Sequence, residues 1–117
     1  MTFRLATACA IALPLALAAA GAQAHAHLVK SDPAANAAVA APKALHLTFS
    51  EKLEPKFSGA DLMTAAGASV AATAKTAGDT IEATPKAALA PGAYMVMWHV
   101  LSTDGHKSNG SYNFTVK

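Results

Sequence analysis

Cysteine and arginine are nearly missing from this chain. The one cysteine, Cys9, and the one arginine, Arg4, both fall in the first 24 residues. A product that loses this segment has no disulfide, no thiolate metal site and no cysteine nucleophile. Its eight lysines then oppose seven acidic residues, a net charge of +1. Because a basic face that reads phosphates is absent, we expect no nucleic-acid partner.

Long apolar runs are also lacking, apart from one near the N-terminus. After the charge of Arg4, Leu5–Ala20 forms a stretch of 16 mainly Ala and Leu residues, short of the roughly 20 that a spanning helix needs. This pattern is typical of a secretory signal peptide. The sequence therefore predicts a signal peptide at residues 1–24, a mature chain without a membrane span, and one small domain at residues 25–117.

The cleavage site decides which residue begins the exported product. Signal peptidase requires small residues at positions −3 and −1, and Ala22-Gln23-Ala24 satisfies this, leaving His25 as the first residue. Two neighbouring sites of the same type would start the product at Gln23 or at His27. From the sequence alone, these alternatives stay open.

Large apolar side chains are few, because alanine supplies much of the 53% hydrophobic content. Where larger apolar residues occur, they alternate with polar ones, as a strand with one buried face requires. Seven short strands are predicted, at His25–Lys30, Ala44–Ser50, Gly59–Thr64, Ala68–Ala72, Thr80–Thr84, Ala93–Leu101 and Gly110–Lys117, with loops at Ala34–Pro42 and Ser102–Asn109. Frequent turns between short strands indicate an all-β, antiparallel sandwich or barrel.

The metal-capable groups of the mature chain are five histidines and a few carboxylates. If cleavage exposes His25, its α-amino nitrogen and ring Nδ1 can chelate one ion together. Asp104 and His106 are two residues apart in a glycine-containing loop, so their side chains can point to the same side. This N,N,N,O set favours Cu(II), whereas the absence of thiolate disfavours structural zinc. From spacing alone, a solvated turn with an incidental histidine remains the alternative.

Several segments of the chain resemble the CopC family when they are taken together. They are His25-Ala26-His27-Leu28-Val29, Leu47-Thr48-Phe49-Ser50-Glu51, Tyr94-x-Val96-x-Trp98-x-x-x-Ser102-x-Asp104-x-His106 and Gly110-Ser111-Tyr112-x-Phe114-x-Val116. They occur in the family's order across essentially all of residues 25–117. The resemblance implies a seven-stranded Greek-key β-barrel or sandwich, cupredoxin-like or immunoglobulin-like, with one Cu(II) ion at one end.

The resemblance also implies which side chains hold this copper. His25 supplies its amine and ring, and Asp104 and His106 complete the site. Glu51 matches an acidic position near that copper, where it supports the site as a hydrogen-bond acceptor for the ligands or as a weak ligand itself. His27 is an alternative ligand, because an N-terminal chain can wrap Cu(II) through its amine, two deprotonated amides and a third-position imidazole.

Methionine offers a second kind of copper ligand, since some CopC members carry a methionine-rich loop for Cu(I). The corresponding segment here, Asp61–Ser69, has only Met63, so we expect no separate Cu(I) site there. Met95, Met97 and His99 share one strand face, and we expect them to pack beneath a neighbouring loop rather than to bind Cu(I) tightly.

For function, the resemblance implies a periplasmic copper carrier or buffer in copper resistance or homeostasis. It is expected to be a monomer that delivers copper to a separate, CopD-like inner-membrane transporter. The enzyme alternative is a copper oxidase with an N-terminal histidine brace, as in lytic polysaccharide monooxygenases. The small domain, and a carboxylate where oxygen chemistry needs an open position, oppose it, so we expect no enzymatic activity. A third reading, a metal-free structural sandwich, leaves the histidines unexplained.

Overall fold

Residues 25–117 are described by a computed structural model and form two β-sheets around one core. In chain order the strands are β1 Leu28–Asp32, β2 Ala38–Val39, β3 Leu45–Phe49, β4 Gly59–Thr64, β5 Ser69–Val70, β6 Ala72–Ala77, β7 Thr80–Pro85, β8 Gly92–Leu101 and β9 Lys107–Val116, with a 3-10 turn at Pro55–Phe57. One sheet has the order β1-β3-β7-β6, and the other has the order β2-β9-β8-β4-β5. Within this part of the chain no helix is long or apolar enough to cross a membrane.

The core is built from the alternating residues that the sequence pattern indicates. Leu45, Leu47 and Phe49 of β3 are at most 1% exposed, whereas His46 between them points to solvent. In the other sheet the inward residues come mainly from β8 and β9 and include Tyr94, Val96, Tyr112, Phe114 and Val116. Burying such side chains stabilises the fold by about 1.5–3 kcal/mol each.

The structure confirms the all-β prediction and specifies a sandwich. The two sheets do not close into a single barrel. Seven strands have five residues or more, which agrees with the predicted seven, and two further strands, β2 and β5, have two residues each. The signal-peptide prediction falls on residues 1–24, outside the described part of the chain.

Two predicted segments differ in their boundaries near the N-terminus. The first strand begins at Leu28 rather than His25, because its pairing with β3 starts at the Leu28–Phe49 pair. The segment Ala34–Pro42 is not entirely loop, since Ala38–Val39 pairs in parallel with the end of β9. Such pairing comes from tertiary contacts and leaves no mark in local composition.

The middle of the chain also differs from the prediction, because the segment that begins at Ala68 makes two strands. β5 pairs with β4 in one sheet, and β6 pairs with β7 in the other. β6 continues to Ala77, so the connecting turn is Gly78 and Asp79 alone, with Gly78 at φ +61°. Glycine is favoured there because it adopts positive φ without a steric cost.

The predicted loop Ser102–Asn109 is shorter in the structure. β9 starts at Lys107, which pairs with Leu101 at the end of β8, so the connection consists of residues 102–106. The polar residues Lys107 and Asn109 belong to the strand because its outer face meets water. This tight connection positions Asp104 and His106.

The expectation that Met95, Met97 and His99 lie beneath a loop is wrong. Met95 is 36% exposed and Met97 is 43% exposed, on the outer face of β8. β8 is bordered by β9 and β4 along most of its length, and its inward face already holds the core residues. The two methionine side chains therefore project from an open sheet face, and the exposed His99 lies on the same face where β4 begins.

Candidate metal centre

The residues that follow His25 fix the start of the domain. The Ala26 side chain is 1% exposed, and its carbonyl accepts a hydrogen bond from Ser108 Oγ at 2.5 Å. The His27 amide donates to Ser50 Oγ at 3.0 Å, and the Ser50 amide donates to the His27 carbonyl at 2.9 Å. His25 is therefore held against the start of β9, next to the β8–β9 connection.

The His25 ring lies directly beside the His106 ring. Their centroids are 5.4 Å apart, and the ring planes meet at 79°. His25 Nδ1 is 3.1 Å from the Lys107 carbonyl oxygen. Because a carbonyl only accepts, this contact requires Nδ1 to carry the proton and leaves the Nε2 lone pair free.

The β8–β9 connection brings Asp104 and His106 together. The Gly105 amide donates to the Ser102 carbonyl at 2.9 Å, and the Ser102 amide donates to the His106 carbonyl at 2.9 Å. Gly105 has φ +94°, which a residue with a side chain rarely adopts. The tight turn sets His106 Nδ1 3.1 Å from Asp104 Oδ1.

Ser102 is the buried centre of this turn, with 0% exposure. Its hydroxyl donates to Asp104 Oδ1 and accepts from the His106 amide. The Ser102 hydrogen bond, followed by that from His106, lowers the pKa of Asp104 below its ordinary value of 3.8. The carboxylate is therefore ionised at neutral pH and ready to accept a cation.

Glu51 and His27 lie near this region but outside the contact group, which consists of His25, Asp104 and His106. Glu51 is half-buried, in the segment where the Lys52 carbonyl accepts from the Thr103 amide at 3.0 Å. The His27 ring is exposed. Neither side chain makes a hydrogen bond or ion pair with His25, Asp104 or His106 in the described residues.

The contact group is not yet arranged as a coordination sphere. Within residues 25–117 no group of three or more His, Cys, Asp or Glu side chains stands close enough to hold a metal ion. His25 Nδ1 faces the Lys107 carbonyl, and His106 Nδ1 faces Asp104. Two imidazoles and a carboxylate are nevertheless donors that divalent transition metals accept, and a metal bound through Nδ1 of either ring would replace the hydrogen bond that this nitrogen makes.

The remaining histidines lie elsewhere. His46, on the solvent side of β3, has its Nδ1 3.7 Å from Glu82 Oε2, and both side chains are more than half exposed. The His99 ring covers Gly59, where an added Cβ would meet His99 Cε1 at 3.0 Å. Neither residue contacts His25 or His106 through a hydrogen bond or ion pair in the part of the chain that is described.

Comparisons with known proteins find the same fold and sequence pattern. The CopC domain family matches residues 28–117. The chain belongs to the CopC family. Copper resistance protein C from Xanthomonas campestris pv. juglandis is 40% identical over 99 residues, which cover 77% of this chain and 78% of that protein. Protein YobA from Escherichia coli K12 is 43% identical over 90 residues, covering 73% of each chain.

Crystal structures of two relatives have the same architecture. PcoC, a methionine-rich copper resistance protein from Escherichia coli, superposes with a TM-score of 0.73 at 40% identity, over 80% of this chain and 100% of its own. CopC from Methylosinus trichosporium OB3b superposes with a TM-score of 0.75 at 36% identity, over 80% and 94%. The CopC fold therefore extends across the described residues.

Sequence reasoning missed the serines that position this candidate CopC site. Ser102 holds Asp104 and His106, while Ser50 and Ser108 hold the N-terminal segment. Ser50 and Ser102 stand in the segments that resemble the CopC family, and Ser102 also lies two residues before Asp104, a spacing that favours local side-chain hydrogen bonds in turns. The partners of Ser50 and Ser108 could not be predicted, because each contact joins residues far apart in the chain.

Proposed function

We propose that the chain matures to an exported CopC protein that binds one Cu(II) ion through His25, Asp104 and His106. The observation that carries this proposal is the proximity of the His25 and His106 rings, 5.4 Å apart, beside an ionised Asp104. Two imidazoles and a carboxylate suit the tetragonal N,O geometry that Cu(II) prefers.

Removal of residues 1–24 would add the fourth donor. In the full chain the His25 backbone nitrogen is part of a peptide bond to Ala24 and cannot bind a metal as an amine. Cleavage after Ala24 turns it into an α-amine that can chelate together with Nδ1. Glu51 then acts as a nearby acceptor that orients the site, and His27 is a neighbouring surface side chain.

The alternative Cu(II) wrap through His27 is opposed by the hydrogen bonds of the N-terminal segment. A wrap deprotonates the amides of Ala26 and His27, but the His27 amide donates to Ser50 Oγ. The buried Ala26 side chain would also have to leave the core. The folded site requires neither change.

Several relatives are named copper resistance proteins, and these names support a role in copper resistance. We propose that this protein is a monomer in the periplasm that carries or buffers Cu(II) and delivers it to a separate, CopD-like inner-membrane transporter. An equatorial carboxylate beside nitrogen donors favours Cu(II) over Cu(I), so the protein should hold copper without turning over oxygen.

The test combines intact mass of the secreted protein with Cu(II) titration and EPR. We expect a mass that begins at His25, one Cu(II) per chain, and an EPR spectrum of mixed N,O ligation. His106→Ala and Asp104→Ala should weaken binding, whereas His46→Ala is the matched control, because this exposed histidine contacts Glu82 instead. A product that begins at His27, or binding lost only in His27→Ala, would refute the folded site.

The carrier role has its own test. Copper-loaded protein is incubated with ascorbate, peroxide and a polysaccharide, and soluble products are measured against free copper. We expect no copper-dependent turnover above that background. Oxidised products that disappear in His106→Ala would assign the protein to the enzymes instead.

A further inference from the structure

The solvent side of the four-stranded sheet carries one row of charged and titratable side chains. Asp32 of β1 pairs with His46 of β3, and His46 pairs in turn with Glu82 of β7. Lys75 of β6 pairs with Glu82 and ends the row. All four residues are exposed. Because residues directly opposite on antiparallel strands project from the same face, the histidine stands between two carboxylates.

The neighbouring positions indicate that the fold does not require this charged row. Outward positions on either side of it are mostly threonine, namely Thr48, Thr73, Thr80 and Thr84. Threonine suits an exposed strand position by itself. Among the residues of these four strands His46 is the one histidine, and both of its direct cross-strand partners are acidic. Packing of the sheet gives no reason for this grouping.

The His46 ring and the Glu82 carboxylate approach each other without a hydrogen bond. His46 Nδ1 is 3.7 Å from Glu82 Oε2, which is longer than a hydrogen bond. Zinc holds histidine nitrogen and carboxylate oxygen at about 2.0–2.2 Å in a tetrahedral arrangement, so two of its ligand atoms are about 3.4 Å apart. The observed separation is therefore close to the one that a shared ion requires.

Asp32 can supply a third ligand from the other side of the histidine. Directly opposite residues on antiparallel strands have Cβ atoms about 4.5–5.5 Å apart, so both carboxylates are within side-chain reach of an ion bound to His46. The three side chains do not yet converge, since no trio of metal-binding side chains in residues 25–117 stands close enough to hold an ion. The His46 and Glu82 side chains are more than half exposed, so they are free to change rotamer.

We propose that Asp32, His46 and Glu82 form a binding site for one Zn²⁺ ion on the outer face of the four-stranded sheet. Zinc sites without thiolate use imidazole and carboxylate ligands, and a water molecule completes the four. The bound ion would link β1, at the edge of the sheet, to β3 and β7. The proposal does not depend on the Cu(II) function, because it uses none of the same residues.

The position of this site keeps it separate from the candidate Cu(II) centre. Ser50, whose amide donates to the His27 carbonyl, is four residues beyond His46. At about 3.4 Å per residue this is about 14 Å along the chain, too far for one ion to be shared. The zinc site has one nitrogen donor, whereas the mature copper centre would have three. The first equivalent of Cu(II) should therefore go to the copper centre, and His46→Ala remains a control there.

The first test follows the His46 ring by NMR while Zn²⁺ is added to the secreted protein. We expect the His46 signals to shift until the site is saturated. The same shift should occur in His106→Ala, in which the candidate Cu(II) centre lacks a ligand, so a failure of the proposed function would leave this result unchanged. His46 signals that stay in place when Zn²⁺ is in excess would overturn the proposal.

The second test measures Zn²⁺ affinity by calorimetry in the His106→Ala background. Asp32→Asn and Glu82→Gln should each weaken binding by at least the roughly 10-fold that loss of a supporting residue costs a metal site. Asp61→Asn, which changes an exposed carboxylate of the other sheet, is the matched control. Lys75→Gln should strengthen binding, because the lysine competes with the ion for Glu82. Melting temperatures without metal report whether each variant folds, and equal affinities in Asp32→Asn, Glu82→Gln and Asp61→Asn would refute the site.

Discussion

The turn that carries Asp104 and His106 depends on one buried hydroxyl, so Ser102→Ala is the most informative single change at the candidate Cu(II) site. Ser102 Oγ donates to Asp104 Oδ1 and accepts from the His106 amide at 3.3 Å. Alanine removes these hydrogen bonds, together with the 3.2 Å contact from Oγ to the His106 carbonyl, and keeps the rest of a side chain that is 0% exposed. The substitution therefore tests whether the two proposed ligands must be held in place.

The expected loss of stability in Ser102→Ala depends on which hydrogen-bond partners of Ser102 can bind water instead. The Asp104 side chain is 49% exposed, so its carboxylate regains hydration when Ser102 Oγ is removed. The hydrogen bond to the His106 amide contributes about 1 kcal/mol. For a domain of this size about 1 kcal/mol corresponds to a fall of about 4–8 °C in melting temperature. Cu(II) affinity should also fall, by roughly 10- to 100-fold, the usual effect of losing a residue that hydrogen-bonds to a metal ligand.

The assay measures three quantities on wild type, Ser102→Ala and the control Thr103→Ala, whose side chain is exposed. They are the melting temperature, the Cu(II) affinity, and the pKa of Asp104 followed by NMR of its carboxyl carbon. In Ser102→Ala the pKa of Asp104 should rise towards its ordinary value of 3.8, because the main hydrogen bond that lowers it is lost. If that pKa rises while Cu(II) affinity matches Thr103→Ala, the positioning argument is refuted.

Three further changes test other parts of the structure. Gly110→Ala should destabilise the fold by about 1–3 kcal/mol, because its Cβ would lie 2.8 Å from Trp98 Cε2. Trp98→Leu should relieve this clash, so the double variant should lose less stability than the two single variants together. Denaturant titrations measure this, and a double variant whose loss equals the sum of the two would contradict the argument. Because its pKa is lowered in the folded state, ionised Asp104 stabilises the fold above pH 3.8, and this stabilisation is lost as pH falls through the lowered pKa. Asp104→Asn should therefore have a lower melting temperature than wild type at neutral pH, and the two melting temperatures should converge in acid. Tyr94→Phe removes a 2.6 Å hydrogen bond to a backbone carbonyl and should cost about 1 kcal/mol, with Ser111→Ala as an exposed control that leaves stability unchanged.

The sequence predicts those parts of the fold in which a local pattern and the tertiary structure agree. The predicted strand Gly59–Thr64 has the bounds that the structure gives, and the alternation at Leu45, Leu47 and Phe49 identifies core residues correctly. The two-residue strand at Ala38–Val39 could not be predicted, because its pairing with β9 involves residues far away in sequence. Local periodicity contains no information about such partners.

The sequence also predicts only part of the candidate site, namely the residues that a local spacing or the family resemblance indicates. The spacing of Asp104 and His106 and the resemblance to the CopC family indicated the two side chains that the structure sets 3.1 Å apart. The predicted supporting role of Glu51 stays a prediction. Neither the contact of His25 with the Lys107 carbonyl nor the pairing of His46 with Glu82 could be predicted, since both require the strand register.

The two ends of β9 are covered by different parts of the chain. This shortens the strand edge that a β-strand of another chain could pair with. At the start of the strand, His25 contacts the Lys107 carbonyl and the Ala26 carbonyl accepts from Ser108. Towards the end, the Asn36 amide donates to the Asn113 carbonyl, and β2 pairs with the last residues. An exposed strand edge is a template for aggregation. The segment that carries the first proposed copper ligand thus also shields the sheet, and its loss would lengthen the edge open to a neighbouring chain.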